Sequence, residues 1–102
     1  EQAPSEAVLN PCLVEIGGEG RCIDLQPEKT MIGSAEFNDV WLEHPSVDKK
    51  HAMIKIERGK YILRDMNSKK GTYINGKKIR KDKLNHLDQV RFGELRFTIK
   101  LV

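Results

Sequence analysis

A serine, an aspartate and a histidine stand near one another in the chain and suggest a hydrolytic site. Asp48 and His51 are three positions apart, and Ser34 or Ser46 would supply the nucleophile of a Ser-His-Asp triad. The chain lacks the Gly-x-Ser-x-Gly turn that exposes the nucleophile in one large class of hydrolases. We therefore interpret His51 as a structural residue and predict that this chain is not an enzyme.

Metal and cofactor chemistry has no matching residue pattern either. Cys12 and Cys22 are the only cysteines, and neither belongs to a CxxC pair or a His/Cys cluster, so no disulfide framework or zinc site is predicted. The run Gly17-Gly18-Glu19-Gly20 precedes a strand pattern and not a helix, which argues against a nucleotide-binding loop. We predict no metal and no cofactor. The two cysteines are interpreted as buried free thiols on adjacent strands, in a reducing, cytoplasmic setting.

Positive charge is concentrated in the second half of the chain. Residues 46–102 carry sixteen basic and six acidic residues, a net charge of +10, whereas residues 1–45 carry nine acidic and two basic residues, a net charge of −7. Seven of the basic residues lie in the stretch Lys69–Lys83, which has Asp82 as its only acid. Nucleic acid is disfavoured as its ligand because Tyr73 is the only aromatic residue available for stacking. We predict a solvated hairpin tip or a contact for an acidic protein partner.

These residues must be positioned by short strands. Apolar residues recur at every second position in short runs such as Ala52-Met53-Ile54-Lys55-Ile56, a pattern typical of β-strands. Turn residues separate the runs, and Asn75-Gly76 is the pair most favoured in a type I′ hairpin turn. No helical repeat persists, and no apolar run approaches the roughly 18 residues of a membrane span, so no membrane insertion is predicted.

The length and the strand pattern together predict the fold class. A chain of 102 residues has room for one domain with one modest core. Many short strands with short loops and little or no helix predict an all-β sandwich of two antiparallel sheets. We expect residues 12–102 to form this domain, and residues 1–11, which lack periodicity, to be a flexible lead-in or linker.

The segment from Met31 to Gly93 contains a series of motifs that resembles the forkhead-associated domain. The family pattern reads GR, (D/N)-I-x-L, V-S-R-x-H-A, L-x-D-x-x-S-x-N-G-T-x-V-N-G and L-x-x-G-D-x-I-x-x-G. The matching segments, in the same order, are 33–34, 39–42, 47–52, 63–76 and 84–93, and the match spans about two thirds of the chain. The resemblance implies an eleven-stranded β-sandwich of forkhead-associated type that recognises phosphothreonine peptides through loops at one end.

The resemblance also implies which residues lie at the ligand. The recognition loops correspond to residues 33–38, 46–51 and 67–72. His51 is retained and, by resemblance, ties two of these loops together. The retained residues that support the site are Gly33, His51, Ser68, Gly71, Thr72 and Asn75.

The positions that face the ligand in the family are changed here. Ser34 replaces the arginine that grips the phosphate, so a neutral hydroxyl stands in place of a bidentate cation. Asp48 replaces the phosphate-binding serine and would oppose a phosphate of charge about −1.5 to −2. Lys70 replaces the asparagine that grips the peptide backbone. Losing a charge-assisted hydrogen bond costs about 1.5–3 kcal/mol, so we predict weakened phosphate dependence. The candidate contact residues are Ser34, Asp48, Lys49, Lys50, Lys69 and Lys70.

Three interpretations of the function remain open at this point. In the first, which is our main prediction, the loop lysines hold a phosphorylated or acidic segment of a protein partner. In the second, Asp48 pairs with Lys49 or Lys70 and closes the pocket. The domain is then a phosphate-independent scaffold or self-association module, or it binds through a sheet face. In the third, residues 69–83 bind a polyanion.

Overall fold

The computed structural model describes residues 11–101, which form eleven β-strands in two sheets. The all-β sandwich expected from the sequence is confirmed. The predicted lead-in, residues 1–11, lies outside the described residues except for Pro11. In chain order the strands are β1 (Cys12–Glu15), β2 (Cys22–Asp24), β3 (Lys29–Gly33), β4 (Val40–Trp41), β5 (Ala52–Glu57), β6 (Lys60–Asp65), β7 (Thr72–Ile74), β8 (Lys77–Ile79), β9 (Lys81–Lys83), β10 (Gln89–Phe92) and β11 (Leu95–Lys100).

One sheet has six strands in the order β2-β1-β11-β10-β7-β8, and the other has five in the order β4-β3-β5-β6-β9. Neighbouring strands are antiparallel except β3 and β4, where Ile32 pairs with Val40 and Gly33 pairs with Trp41 in parallel. The two antiparallel sheets predicted from the sequence are present, and β3–β4 is the one parallel pair among residues 11–101. Because β4 has only two residues, the six-residue loop 34–39 can double back beside β3 without the long crossover that parallel strands normally need.

The core lies between the two sheets and is built from the alternating apolar residues. On β5, Ala52 and Ile54 are buried while Lys55 is exposed, as the period of two predicts. The rings of Phe92 and Phe97 from the six-stranded sheet meet in the core with their centroids 5.9 Å apart. Burial of these side chains supplies the main stabilising term of the sandwich.

The predicted hairpin turn at Asn75-Gly76 is present. Both residues have positive φ, 51° and 85°, as a type I′ turn requires, and they join β7 to β8. After β8 the chain changes sheets, because β9 pairs with β6 of the five-stranded sheet. The hairpin-tip interpretation of residues 69–83 therefore holds only for the β7–β8 turn.

The two cysteines lie on neighbouring strands with their sulfur atoms 3.0 Å apart. Cys12 is buried, but Cys22 is exposed because β2 is the edge strand of its sheet, so the prediction of two buried thiols is wrong for Cys22. Burial and the contact with Cys22 raise the pKa of the Cys12 thiol to about 11. Cys12 is therefore protonated at neutral pH and behaves as a small apolar side chain.

The described residues, 11–101, include no helix with the length and apolar character of a membrane span.

Candidate functional site

Three loops that are far apart in the chain meet at one end of the sandwich, and Asp48 joins them. The backbone N–H of Ser34, just after β3, donates to the backbone carbonyl of Asp48 at 2.9 Å. The Asp48 carboxylate accepts a hydrogen bond of 3.0 Å from the backbone N–H of Lys69, in the loop between β6 and β7. The loops at 33–38, 46–51 and 67–72 thus form one continuous surface, as the sequence predicts.

His51 lies beneath this surface and is fully buried. Its Nδ1 accepts the backbone N–H of Asp48 at 3.0 Å, and its Nε2 lies 2.9 Å from the backbone carbonyl of Gly71. These two partners require the neutral tautomer with its proton on Nε2, which donates to Gly71. Its ring also packs edge-on against Phe92, with centroids 6.0 Å apart. Since both ring nitrogens are occupied by the backbone, His51 cannot act as the base of a hydrolytic triad.

Gly33 and Asn38 lock the loop 34–39 against the loop that carries Asp48. A Cβ atom on Gly33 would lie 2.1 Å from the backbone oxygen of Lys49, a separation that only glycine avoids. The side-chain amide of the buried Asn38 donates to the carbonyls of Ala35 and Lys49, both at 2.7 Å. Sequence reasoning placed Asn38 at the end of the loop 33–38 but did not single it out.

Asp65, at the end of β6, organises the third loop. Its Oδ1 accepts hydrogen bonds from the Ser68 hydroxyl at 2.5 Å and the Thr72 hydroxyl at 2.6 Å. Its Oδ2 accepts the backbone N–H of Ser68 at 3.1 Å, and the Ser68 hydroxyl in turn accepts the backbone N–H of Gly71 at 3.0 Å. Sequence reasoning named Ser68, Gly71 and Thr72 but missed Asp65, although it occupies the aspartate position of the motif that contains them.

The predicted contact residues on this surface differ in their burial and in the contacts that they make. Ser34 is half-buried, its carbonyl accepts the Trp41 indole N–H at 3.0 Å, and its hydroxyl makes no hydrogen bond to other residues of the range 11–101. Lys50 places its ammonium group 5.9 Å from the centre of the Phe37 ring. All four candidate lysines, Lys49, Lys50, Lys69 and Lys70, are exposed.

No lysine side chain neutralises Asp48 within the described part of the chain. The one salt bridge in residues 11–101 joins Arg21 to Glu15, and neither residue belongs to the recognition loops. The Asp48 carboxylate is instead held by a backbone amide, that of Lys69. The loop lysines therefore keep their charge available for a ligand.

A comparison with known families shows which family the chain belongs to. The sequence model of the FHA domain, the forkhead-associated domain, matches residues 30–93, which include all three loops. The chain belongs to the FHA domain family. FHA domains are non-enzymatic interaction modules, so the family supports the prediction that this chain is not an enzyme.

Named relatives of this FHA domain include regulatory proteins. The transcriptional regulatory protein EmbR of Mycobacterium tuberculosis is 31% identical over 83 residues, covering 80% of this chain and 21% of EmbR. The glycogen accumulation regulator GarA of Mycolicibacterium smegmatis is 29% identical over 72 residues, covering 71% of this chain and 46% of GarA. This chain thus spans less than half the length of either relative.

A solved structure of EmbR from Mycobacterium tuberculosis, in complex with a low-affinity phosphopeptide, superposes on this FHA domain with a TM-score of 0.85. The two are 30% identical, and the match covers 90% of this chain and 24% of that one. The fold is therefore shared with a protein whose solved structure contains a phosphopeptide.

Asn75 occupies a different part of the FHA domain from the three loops. Its side-chain amide donates to the Asp88 carboxylate at 3.0 Å, and its side-chain oxygen accepts the backbone N–H of Gln89 at 2.9 Å. Asn75 therefore ties the β7–β8 turn to the start of β10. Its hydrogen bonds within residues 11–101 do not reach the recognition loops.

We expect Asp65→Asn to destabilise this FHA domain above pH 4 and to flatten its acid unfolding profile. Burial raises the pKa of Asp65, but hydrogen bonds from Ser68 and Thr72 lower it by more, so the net pKa lies below the ordinary value of 3.8. A depressed pKa stabilises the folded state above pH 3.8, and this contribution is lost as the pH falls through the folded-state pKa. Urea unfolding of both proteins between pH 2.5 and 7 measures the difference. Parallel stability curves that never converge toward low pH would contradict this account.

Proposed function

We propose that this FHA domain binds a phosphothreonine-containing or acidic segment of a partner protein at the three-loop surface. The observation that supports the proposal best is the joining of the loops by Asp48 and His51 beneath a set of exposed, unneutralised lysines. A surface of hydrogen-bonded loops that carries several exposed positive charges favours phosphorylated or acidic motifs. The phosphopeptide held by EmbR, a relative with 30% identity over the matched region, supports the same class of ligand.

Phosphate dependence is proposed to be weak. Ser34 offers one hydroxyl where a bidentate guanidinium would grip the phosphate, and lysine ammonium groups act only as mobile point charges. The Asp48 carboxylate is fixed at the junction of two loops by the Lys69 amide, so it cannot swing away from an arriving anion without losing that bond. Repulsion from Asp48 thus offsets part of the attraction from the lysines.

Titration with a matched set of peptides tests the proposed function. The set has one sequence with phosphothreonine, phosphoserine, threonine or glutamate at the central position, and fluorescence anisotropy or calorimetry measures each Kd. We expect the phosphothreonine peptide to bind with a Kd on the order of 100 µM at 50 mM salt, tighter than the threonine peptide. Equal affinity for the phosphothreonine and threonine peptides would contradict the proposal and favour the phosphate-independent scaffold.

We expect the double variant Lys49→Gln with Lys70→Gln to weaken phosphopeptide binding about tenfold at low salt. Each substitution removes one charge from a recognition loop, and the Coulomb attraction to the phosphate falls accordingly. The matched control is Lys29→Gln with Lys55→Gln, which removes the same charge from a cross-strand pair on β3 and β5. The same loss of affinity in both variants would show that the attraction depends on net charge and not on the recognition loops.

We also propose a cytoplasmic location for the domain. Cys12 and Cys22 are the only cysteines in the sequence, and a protein with so few cysteines and no disulfide framework is typical of a compartment that keeps thiols reduced. Thiol labelling of the protein in intact cells, followed by mass spectrometry, measures their state. Complete oxidation of the pair would contradict the proposed location.

A further inference from the structure

An open groove of about 1150 Å³ lies beside the recognition loops. One wall is the end of β6 with the residues that follow it, and the other is the segment where β8 ends and β9 begins. Four basic side chains line the groove: Arg64, Lys78, Arg80 and Lys81. Ser68, whose neighbour Lys69 is bonded to Asp48, also lines it, so the groove is continuous with the proposed phosphopeptide site.

The path of the chain between the sheets creates this concentration of charge. Lys78 lies on the edge strand of the six-stranded sheet and Lys81 on the edge strand of the five-stranded sheet. Arg80 alone connects the two strands, and its carbonyl accepts the backbone N–H of Asp65 at 2.8 Å. Three strands therefore bring four cations to one groove.

Two of these cations face each other directly. Arg64 on β6 is the cross-strand partner of Lys81 on β9, and like charges in that position repel. No carboxylate within residues 11–101 lies within 4.0 Å of either cation, and the only acid lining the groove, Asp65, has its oxygens bonded to Ser68 and Thr72. The groove is therefore electrostatically unfavourable when empty and favourable for a bound anion.

We propose that this groove binds an acidic segment of the partner polypeptide that flanks the residue held by the recognition loops. The inference rests on the proposed function and extends it to the ligand's flanking sequence. An acidic polypeptide complements the charge of the groove, and Met66, which is 36% exposed at its wall, offers an apolar contact for the same chain. The partner is thus recognised by a phosphothreonine and by neighbouring Asp or Glu residues together.

Nucleic acid fits the groove less well than a polypeptide. The residues that line it include no aromatic side chain on which a base could stack. Tyr73, the one aromatic residue of the basic stretch, has the Arg91 guanidinium 3.8 Å from its ring centre, and its hydroxyl donates to the Lys70 carbonyl at 3.2 Å. Tyr73 is therefore engaged within the domain.

Three phosphothreonine peptides test the inference: one with four glutamates before the phosphothreonine, one with four after it, and one with neither. We expect one of the two acidic flanks to tighten wild-type binding about tenfold at 50 mM salt. The double variant Arg64→Gln with Lys81→Gln, named here the groove variant, should lose most of that gain in affinity. The control Lys29→Gln with Lys55→Gln removes the same charge from an opposed pair on the same sheet and should keep it.

Two further probes separate this inference from the proposed function. If phosphorylation contributes nothing, yet an unphosphorylated glutamate-rich peptide binds wild type and not the groove variant, the proposed function fails and the groove assignment stands. An acidic flank that helps the groove variant as much as wild type overturns the assignment. Random single-stranded DNA of equal charge is the second probe. If it binds wild type as tightly as the acidic peptide does, and binds the groove variant more weakly, the choice of a polypeptide as the ligand is overturned.

An NMR measurement on the wild-type protein gives an answer that needs no variant. Amide shifts on addition of the acidic-flank peptide, compared with the peptide that lacks the flank, should differ most at residues 64–68 and 78–81. Differences confined to other strands would place the acidic segment elsewhere and contradict the proposal.

Discussion

Replacing His51 with alanine is expected to lower the free energy of unfolding by about 3–5 kcal/mol and to abolish peptide binding. The substitution removes a fully buried ring, its contact with Phe92, and the partners of the Asp48 N–H and the Gly71 carbonyl. Within residues 11–101 the Asp48 N–H would then be left without a partner, which costs more than the lost bond alone. The Gly71 carbonyl would keep the backbone N–H of Gly93, at 3.1 Å, as its donor. Urea unfolding measures the stability, and titration with the phosphothreonine peptide measures the binding.

Two companion variants make the His51 prediction specific. His51→Gln keeps one acceptor and one donor, so we expect it to lose less stability than the alanine variant. His86→Ala removes an exposed histidine whose one hydrogen bond within residues 11–101 is from the backbone N–H of Leu101, and it should cost less than about 1 kcal/mol. If His51→Ala and His86→Ala proved equally mild, the role of His51 in joining the loops would be disproved.

The double variant Ser34→Arg with Asp48→Ser is expected to bind the phosphothreonine peptide about 10- to 100-fold more tightly than wild type. The guanidinium supplies charge-assisted hydrogen bonds worth about 1.5–3 kcal/mol, and each 1.4 kcal/mol is a factor of ten in affinity. Removing the Asp48 carboxylate also removes its repulsion of the phosphate, while a serine hydroxyl can still accept the Lys69 N–H. Calorimetric titration with the phosphothreonine peptide measures the gain.

The control for this double variant is the unphosphorylated peptide. Its affinity should change little, because the new contacts are made to the phosphate. A similar gain for both peptides would mean that the added positive charge acts nonspecifically. An unchanged affinity for the phosphothreonine peptide, in a variant that unfolds like wild type, would show that position 34 does not face the phosphate.

Much of the fold could be predicted because its signals are local. The alternation of Ala52 and Ile54 with Met53 and Lys55 reports which face of a strand is buried, and Asn75-Gly76 reports a turn that needs positive φ at both residues. The strand β9 carried no such signal, because all three of its residues are charged and exposed and it is held by backbone pairing with β6. The parallel pairing of β3 with β4 was missed for the same reason, since backbone ladders leave no mark on residue type.

The candidate site, too, could be predicted only in part from the sequence. The motifs predicted which loops meet and that His51 supports them, since those residue types recur at the family's spacing. They could not predict that Asp48 would be held by the Lys69 backbone amide, 21 residues away, and not by a lysine side chain. Asp65 was missed although its partners Ser68 and Thr72 lie only three and seven residues away in the same motif. The bond from Asn38 to the Lys49 carbonyl, eleven residues away, could not be predicted because only folding brings the two groups together.

By itself, the sequence determined that this is an all-β FHA domain with Ser34 and Asp48 in place of the family's phosphate contacts, because patterning and motif spacing are properties of the chain. Only the tertiary structure decided how the charges are used. It leaves the loop lysines unneutralised, and it sends β8 and β9 to different sheets so that Arg64 and Lys81 oppose each other in a groove. Coulomb interactions depend on distance in space, and the distance between residues 64 and 81 is set by strand pairing and not by their separation along the chain.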